Sequence, residues 1–532
     1  MVDGRRPTVA SLHGMVAAAH PLAAGAGARI LREGGNAFDA IVATAAALNV
    51  VEPFMSGLAG LGMAVCRVAA ERRVRALDYM TAVPLELDAA RCSADDLMVG
   101  PLASAPPGSL AGWCKLAADL GRLPLPRLLA PAITLARDGF PAGGLMLRML
   151  AQAGPVRSAE AEWRRVYTTG DGTLPEGHVL RQPELAATLE AIASDGPGHL
   201  YGGPLGRRMV EHLRARGGAM SMADLERVAP RWVEPLRAGY RGLDVHTMPT
   251  PAESFQVLLT LRILEGFDVA SMEPQGADHL DTVFRAIRLA AAARIRHNRQ
   301  PVEAIARLLE DDSVATMRAQ LHDRVAVESR TEKWEGDMAW PDGENREHTT
   351  SFSAADAEGN MVCITQSLGS GYGSGVVIPG TGVCMNNFLN WGDRDPASPN
   401  FLAAGGAMAM CLAPTLSLRD DGEPVLALGT PGSYGILQTT PQVLVSHVDH
   451  DLPLPLAIEA PRGRAWDGRL LHVESRVEAS VVEDLRARGH DAQFVDAWTM
   501  RVGGFHGVCR DPDSGALEGA ADPRRDGYAV AP

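Results

Sequence analysis

The spacing of hydrophobic residues changes near residue 348 of this 532-residue chain. Before that point, apolar residues mostly recur with the period of amphipathic or buried helices. Helices are predicted over residues 18–33, 36–51, 184–194, 205–217, 279–296 and 302–321. A glycine-rich turn at 56–62 precedes one predicted strand, residues 63–68. The first part of the chain is therefore predicted to be rich in helix.

Apolar and polar residues alternate singly from Thr349 onward, which is the pattern of β-strands. Residues 349–356 and 361–366 alternate on either side of a Glu-Gly-Asn turn and predict a hairpin. Further strands are predicted over residues 376–378, 382–385, 413–418 and 425–428. The preceding stretch, 328–348, is polar and is predicted to be an exposed loop. The chain thus divides into a large segment, residues 1–348, and a small segment, residues 349–532.

Composition excludes several classes of protein. Hydrophobic residues make up 46% and charged residues 21%, so the chain can bury a large core and bulk disorder is excluded. The net charge of −14, without a basic cluster, predicts that the protein binds neither nucleic acid nor a membrane surface. No apolar run is long enough for a membrane-spanning helix. The residues after Arg5 and Arg6 lack a continuous apolar segment, which predicts mature protein rather than a signal peptide.

The cysteine pattern and the absence of several motifs from the sequence argue against further classes of binding and catalytic site. The seven cysteines form no C-x-x-C pair, which predicts free thiols in a reducing cytoplasm. The phosphate loop G-x-x-x-x-G-K-[ST], the zinc motif H-E-x-x-H and the G-x-S-x-G elbow are absent from the sequence. The glycine-rich residues 369–375 do not match the dinucleotide-binding pattern and precede no predicted helix. Neither a cofactor nor a metal ion is predicted.

The candidate for chemistry is the threonine at the junction of the two segments. If the peptide bond before Thr349 were cut, this residue would carry both a hydroxyl and a free α-amino group. An α-amino group has a pKa of about 7.7–8.0, so it can take the hydroxyl proton while the oxygen attacks a carbonyl carbon. Threonine is also common at the start of a strand, so the position alone does not separate a nucleophile from a structural residue.

The order of short motifs along the chain resembles the γ-glutamyltranspeptidase family of N-terminal-nucleophile hydrolases. The matching residues include, in chain order, 34–40 (GGNAFDA), 51–53 (VEP), 232–236 (WVEPL), 265–267 (EGF), 359–360 (GN), 386–387 (NN), 414–415 (PT) and 429–432 (GTPG). Each motif is short, but their common order over roughly residues 14–510 is specific.

The resemblance implies a chain that cuts itself before a threonine and folds as an α+β, four-layer αββα sandwich. The two resulting chains would stay together as a heterodimer, which could pair further. Thr349 matches the family's nucleophile, with Thr350 as the alternative, and Ser367 matches its supporting hydroxyl. The family's oxyanion hole, a backbone Gly-Gly pair, is matched by Gly432 and Ser433. Because the donors are backbone N–H groups, serine can serve there if its φ and ψ are tolerated.

The residues that grip the glutamyl α-carboxylate and α-amino group in the family are replaced in this chain. The resulting candidates for the substrate pocket are Tyr79, Met80, Gly369, Asn387, Phe388, Trp391, Met410, Cys411 and Tyr434. Met80, for example, stands where the family has an arginine. A glutamyl head would leave its charges unpaired and desolvated, which costs several kcal/mol. The sequence therefore predicts a smaller or more apolar acyl site and an enzyme that does not act on γ-glutamyl groups.

Three hypotheses about function follow. The first is an autoprocessed amidohydrolase or acylase that acts on a small-molecule amide, as the family's oxamate amidohydrolases and cephalosporin acylases do. An oxalyl-type group carries a carboxylate, for which Arg394 and Arg462 are candidates only by elimination. The second is γ-glutamyltransferase-like acyl transfer, or oxalyl carbon–carbon cleavage in secondary metabolism. The third is a non-catalytic homologue that stays uncut and acts as a binding protein.

Overall fold

The computed structural model describes residue 6 and residues 8–154, 160–170, 172–322, 330–331 and 348–532. In these residues, two antiparallel seven-stranded sheets lie face to face. Sheet 1 contains, in spatial order, Tyr528–Val530, Gly14–Ala18, Thr350–Asp356, Met361–Ser367, Leu61–Val68, Arg73–Asp78 and Arg231–Val233. Sheet 2 contains, in spatial order, Val9–Ser11, Leu517–Ala521, His506–Arg510, Pro424–Gly429, Thr415–Arg419, Leu243–Thr247 and Leu236–Tyr240.

The strand Thr350–Asp356 lies in the middle of sheet 1 and is buried along its whole length. It forms a hairpin with Met361–Ser367. Side chains alternate between the two faces of a strand. Phe352 packs towards the helices outside sheet 1, whereas the Ser353 hydroxyl donates to the His506 carbonyl of sheet 2, 3.2 Å away. Both faces of this strand are therefore covered by other layers.

A glycine lets the two sheets approach each other closely at one end. Gly429, the last residue of Pro424–Gly429, lies against Ser351, and a Cβ atom added to it would be 2.0 Å from Ser351 Oγ. Any side chain at this position would push the sheets apart. The turn that follows Gly429 therefore lies at the same end of the sandwich as Thr349.

One layer of helices covers the outer face of sheet 1. Ala37–Val51 lies directly on the strands, and every one of its residues is buried. Its start is fixed by a reciprocal cap, in which Asn36 Oδ1 accepts from the Asp39 N–H and Asp39 Oδ2 accepts from the Asn36 N–H, both at 3.0 Å. The other helices of this layer are Pro21–Arg32, Ser109–Leu120, Leu125–Asp138 and Pro183–Asp195.

A second helical layer covers sheet 2, so the fold is the predicted four-layer αββα sandwich. This layer contains Phe255–Leu264, Ala277–Arg296, Ile436–Val448 and Leu454–Glu459. The remaining helices are Ala94–Met98, Gly144–Ala151, Ala161–Tyr167, Pro204–Arg214, Met222–Glu226, Val302–Leu308, Asp311–His322 and Ala479–Ala487. Short additional strands are Phe140–Pro141 with Val179–Leu180, Val377–Ile378 with Val383–Cys384, and Gly463–Ala465 with Leu470–Glu474 and Asp491–Val495.

Most predicted elements are confirmed to within a few residues, including the hairpin at 349–366. The helical block predicted over 302–321 is confirmed as two helices, Val302–Leu308 and Asp311–His322. Asp311 and Asp312 occupy the first turn of the second helix, where acidic side chains are favoured by the helix dipole. An apolar periodicity that continues across the break does not reveal this new start.

The division at residue 348 does not separate two bodies, because both segments contribute strands to each sheet. In sheet 1, Thr350–Asp356 pairs with Gly14–Ala18 on one side, and Met361–Ser367 pairs with Leu61–Val68 on the other. Several strands of the large segment, such as Leu243–Thr247, were not predicted from the sequence because they are short. Of the predicted loop 328–348, only residues 330, 331 and 348 are described, and Arg5 also lies outside the described residues.

Candidate active site

Thr349 lies immediately before the strand Thr350–Asp356 and is 4% exposed. The register pairs Thr350 with Gln366, which brings Thr349 opposite Ser367, the last residue of the neighbouring strand. The Thr349 hydroxyl donates to Ser367 Oγ over 3.3 Å. The hairpin therefore brings together the two hydroxyl residues that the sequence singled out.

The Ser367 hydroxyl connects Thr349 to the peptide bond that precedes it. It donates to the carbonyl oxygen of His348 over 2.6 Å and accepts from the Gly369 N–H over 2.8 Å. A hydroxyl has one donor and two acceptor sites, and here all three are used. The donated proton polarises the His348 carbonyl, the group that the Thr349 oxygen must attack if the chain is to cut itself.

The side chain before the junction lies against a glycine. His348 is 5% exposed, and a Cβ atom added to Gly371 would be 3.2 Å from the His348 ring. Gly371 belongs to the glycine-rich stretch 369–375, which the sequence had excluded as a dinucleotide loop. Its lack of a side chain leaves room for the His348 ring.

Arg525 holds the junction from the other side. This arginine is 2% exposed, and its Nη1 atom donates to the main-chain oxygen of Thr349 over 3.2 Å. The same Nη1 lies 3.4 Å from Met55 Sδ. Arg525 lies in the C-terminal segment between the strands Leu517–Ala521 and Tyr528–Val530. A fixed positive charge therefore lies next to the residue that would carry the nucleophile.

The structure separates Thr349 from the alternative nucleophile, Thr350. Strand alternation turns Thr350 towards the helical side of sheet 1, where its hydroxyl lies beside the Glu52 carboxylate. Only Thr349 has its hydroxyl on Ser367. The geometry favours Thr349 for this reason.

The predicted oxyanion turn follows the strand Pro424–Gly429. Gly432 has a φ of 134° and Ser433 a φ of 58°, so the serine occupies the left-handed region at a cost of roughly 1–3 kcal/mol. Both residues stand at the start of the helical turn Ser433–Gly435, where backbone N–H groups have no partner within the helix. Such N–H groups are suited to hold a developing oxyanion.

Apolar side chains surround this end of the sandwich. Phe388, Trp391, Met410 and Tyr434 are all at most 5% exposed and belong to one core cluster, against which the partly buried Met80 packs. The Trp391 indole donates to the Gly369 carbonyl over 3.2 Å, and its ring centroid is 5.9 Å from that of Tyr434. These contacts connect the loop after Ser367 to the residue that follows the oxyanion turn.

Cys411 and Tyr434 are predicted pocket residues that stay uncharged. Burial raises the pKa of the Cys411 thiol, and burial together with the neighbouring Glu253 raises the pKa of the Tyr434 phenol well above its usual value. The Arg294 guanidinium lies 4.4 Å from the centre of the Tyr434 ring and pairs with Glu253 over 2.5 Å. Cys411 and Tyr434 therefore contribute an uncharged thiol and an uncharged aromatic ring to this region.

Two of the predicted pocket residues, Tyr79 and Asn387, do not belong to this apolar wall. Tyr79 lies on the helical face of sheet 1, where its ring fills the space beside Gly62 and Gly112. Asn387 uses its side chain within the loop, accepting from the Ser370 N–H over 2.9 Å and donating to the Met98 carbonyl over 2.8 Å. Tyr79 is thus turned away from Thr349, and Asn387 shapes the loop around Gly369.

The two arginines named as carboxylate partners are engaged elsewhere. Arg394 Nη1 donates to the Cys92 carbonyl over 2.9 Å. Arg462 is 2% exposed and forms a buried ion pair with Asp522 over 2.5 Å. Burial and the neighbouring Arg524 lower the pKa of Arg462 to about 10, which leaves it charged at neutral pH. Neither arginine contacts the hydroxyl pair in the described structure.

Sequence reasoning missed two charged residues near the junction. Arg525 is 176 positions from Thr349 along the chain, and nothing local in the sequence connects them. Glu52 follows the fully buried helix Ala37–Val51 and belongs to the matched motif 51–53, but neither feature assigned it a role. The described residues contain no group of three His, Cys, Asp or Glu side chains placed to hold a metal ion.

Comparison with known proteins gives similarities that extend over the whole chain. The γ-glutamyltranspeptidase family model matches residues 23–531. The acylase ACY 1 proenzyme of Pseudomonas sp. strain SE83 is 35% identical over 97% of this chain and 93% of that protein. The oxamate amidohydrolase proenzyme of Klebsiella pneumoniae subsp. pneumoniae is 31% identical over 98% of each chain. The crystal structure of cephalosporin acylase from Bacillus halodurans matches with a TM-score of 0.88 and 28% identity, covering 100% of this chain and 98% of that chain.

Proposed function

Because this chain belongs to the γ-glutamyltranspeptidase family and is a hydrolase that acts on amide bonds, we propose that it is an autoprocessed N-terminal-threonine acylase. It cuts itself before Thr349 and then hydrolyses an amide of a small or apolar, non-glutamyl acyl group. The observation that carries this proposal is the hydrogen-bonded sequence from the Thr349 hydroxyl through Ser367 to the His348 carbonyl.

Self-cleavage begins with attack of Thr349 Oγ1 on the carbonyl carbon of His348. Ser367 donates to the carbonyl oxygen and stabilises the negative charge that develops there. The bond between this carbon and the Thr349 nitrogen then breaks, the nitrogen takes up a proton, and an ester links His348 to Thr349 Oγ1. Water hydrolyses the ester, which leaves a carboxylate on His348 and a free amino group and hydroxyl on Thr349.

Turnover uses the same oxygen with a new base. The freed α-amino group accepts the hydroxyl proton as Thr349 Oγ1 attacks the substrate carbonyl carbon. The backbone N–H groups of Gly432 and Ser433 are suited to hold the resulting oxyanion. The amino group then passes its proton to the leaving amine, and water releases the acyl group from Thr349. Residues 1–348 and 349–532 act as one heterodimer throughout, since both segments contribute strands to each sheet.

The acyl group is inferred from the walls around the turn. Phe388, Trp391 and Met410 replace polar groups that hold the glutamyl head in the family, and these side chains are buried in the apolar core. A charged α-amino acid head would lose its hydration at such a surface without gaining partners. The names of the relatives, an acylase and an oxamate amidohydrolase, support an acyl group other than glutamyl.

A panel of amides tests this proposal on the purified, processed protein. The panel contains oxamate, short-chain and phenylacetyl p-nitroanilides, and γ-glutamyl p-nitroanilide, each with and without hydroxylamine. We expect hydrolysis of a non-glutamyl member and a γ-glutamyl kcat/KM at least about a hundredfold lower, since several kcal/mol of desolvation are uncompensated. Hydroxamate formed in place of acid would indicate acyl transfer. A γ-glutamyl amide as the best substrate would overturn the assignment of the acyl group.

A further inference from the structure

A buried carboxylate, that of Glu52, lies behind the strand that starts at Thr350. Glu52 directly follows the helix Ala37–Val51 and is 1% exposed. Within the described part of the chain, neither of its carboxylate oxygens completes a hydrogen bond of ordinary geometry, and the Thr350 hydroxyl lies close enough to favour the ionised form. Buried carboxylates are normally paired or hydrogen-bonded, because an isolated buried charge is costly. The position therefore calls for a functional explanation.

The surroundings of Glu52 combine a small cavity with a nearby cation. The cavity beside it, of about 10 Å³, has room for one water molecule and is also lined by Phe54 and Phe140. Burial raises the pKa of Glu52 to about 7, although the positive charge of Arg525 and the Thr350 hydroxyl act in the opposite direction. The charged and titratable groups near this carboxylate are His20, Arg525 and Asp526. Arg148 and Arg6 act in turn on Asp526.

These groups do not all act alike on Glu52. Burial lowers the pKa of His20 to about 4, so that ring is neutral at neutral pH. Asp526 disfavours the negative charge of Glu52, and burial raises the pKa of Asp526 itself. Arg525 is the charged group that favours the ionised form of Glu52. Its Nη1 lies 3.4 Å from the Sδ atom of Met55, whose N–H donates to the Glu52 carbonyl oxygen over 3.0 Å. The net charge of Glu52 and Arg525 together therefore changes when Glu52 gains or loses a proton.

Arg525 connects this balance to the nucleophile. Its guanidinium donates to the main-chain oxygen of Thr349 over 3.2 Å. The carbonyl oxygen and the nitrogen of Thr349 belong to the same residue, so the charge of the guanidinium also acts on the nitrogen. After self-cleavage that nitrogen becomes the α-amino group, whose protonation a nearby positive charge opposes.

We propose that Glu52 is a positioning residue that acts through Arg525. Its carboxylate balances the guanidinium that holds Thr349, and this balance sets the proton affinity of the Thr349 amino group. The inference rests on the proposed function, because it requires a free amino group at Thr349. It states in addition that Glu52, which lies on the helical face of sheet 1, adjusts the pKa of the Thr349 amino group.

Removing the negative charge of Glu52 and removing the positive charge of Arg525 should shift the pKa of the Thr349 amino group in opposite directions. Glu52→Gln removes a negative charge that partly offsets the guanidinium, which destabilises the α-ammonium and lowers the pKa of the amino group. Arg525→Gln removes the positive charge and raises that pKa. Each shift is expected to be about 0.5–1 pH unit, the effect of one charge partly screened at this separation. Loss of structure alone does not produce shifts of opposite sign.

The rate at which Thr349 is labelled by phenylmethanesulfonyl fluoride measures the proton affinity without a known substrate. The oxygen attacks sulfur, fluoride leaves, and the amino group takes the proton. The labelled 349–532 chain is quantified by intact mass between about pH 5 and pH 9, a range that spans the ordinary α-amino pKa. Glu86→Gln is the matched control, because Glu86 pairs with Arg214 on the surface at 54% side-chain exposure. This control should leave the midpoint unchanged.

A lower midpoint for Glu52→Gln and a higher one for Arg525→Gln support the proposal. Unchanged midpoints, or shifts in the same direction, overturn it while self-cleavage and labelling of the wild type keep the proposed function intact. A variant that does not cut itself is produced from two coexpressed segments, the initiator Met before Thr349 being removed by the host, and is measured in the same way. A wild type that is never cut overturns both the proposed function and this inference.

Discussion

At the scale of single residues, the central feature is a serine hydroxyl that serves two neighbours. Ser367 accepts from the Thr349 hydroxyl and donates to the His348 carbonyl. The first contact orients the nucleophile, and the second polarises its target. Both act before any free amino group exists, so Ser367 has a role in self-cleavage that differs from that of the later base.

Removing this hydroxyl should slow self-cleavage. Ser367→Ala loses the donor to the His348 carbonyl, which is worth about 1.5–3 kcal/mol in the transition state, or roughly a 10- to 100-fold lower rate. The rate is measured as disappearance of the full-length chain after cell-free synthesis. Ser367→Thr keeps the hydroxyl and should recover most of the rate. Cleavage of Ser367→Ala at the wild-type rate would contradict the assigned contact.

Residue identities in the junction were predictable, but their surroundings were only partly so. Thr349, Ser367, Gly432 and Ser433 came from motif matches in which each residue's chemistry was already implied. Tyr79 was placed in the pocket because it stands beside Met80. Adjacent residues on a strand point to opposite faces, however, and Tyr79 packs on the helical face instead. A position next to a matched residue is thus weak evidence for a shared site.

At the scale of elements, the segment between the last two strands determines where Arg525 lies. This segment follows Leu517–Ala521 and is fixed by Asp522, which is fully buried. Asp522 accepts from Arg462 over 2.5 Å and from Arg524 over 3.0 Å, and its Oδ2 accepts from the Phe505 N–H over 3.2 Å. The ion pairs therefore hold the main chain next to Arg525.

Breaking this network should destabilise the protein strongly. Asp522→Asn leaves two buried arginines without their shared anion and is expected to lower the free energy of unfolding by about 3–5 kcal/mol. Asp421→Asn, which removes an exposed pair with Arg419 at 47% side-chain exposure, should leave the free energy of unfolding almost unchanged. Urea unfolding of both variants beside wild type measures the difference. Equal effects of the two substitutions would be inconsistent with a structural role for the network.

The same network gives the stability a dependence on pH. Burial acts to raise the pKa of Asp522, but Arg524 and Arg462 outweigh it and hold that pKa well below its usual range. A carboxylate with a depressed pKa contributes stability above its unfolded pKa of about 3.9, and this contribution is lost as the pH falls below that value. Asp522→Asn should therefore flatten the acid side of the stability profile.

Elements with strong local patterns were predictable from the sequence, whereas their partners were not. The hairpin Thr350–Asp356 with Met361–Ser367 has alternating strands and a clear turn, so it was found. The pairing of Thr350–Asp356 with Gly14–Ala18 connects residues more than 300 positions apart, and no local pattern encodes it. The contact of Arg525 with Thr349 depends on such long-range pairing, and this is why it was missed.

At the scale of the whole molecule, a cut before Thr349 would leave one body. Residues 1–348 and 349–532 both contribute strands to each sheet, and the helical layer on sheet 2 contains helices of both segments. The new chain ends would lie at one end of the sandwich, beside the turn that contains Gly432. The family resemblance predicted this four-layer architecture, and the fold and the whole-chain similarities confirm it. None of the described helices is both long and apolar enough to cross a membrane.

The most direct test of the central claim is the intact mass of the purified protein beside Thr349→Ala and Thr350→Ala. The account predicts two chains for the wild type, residues 1–348 and residues 349–532, that copurify, with Thr349 at the start of the second. Thr350→Ala should be cut in the same way, because its hydroxyl does not face Ser367, and Thr349→Ala should remain whole. A full-length wild type, or a cut that persists in Thr349→Ala, would contradict the claim that Thr349 is the nucleophile.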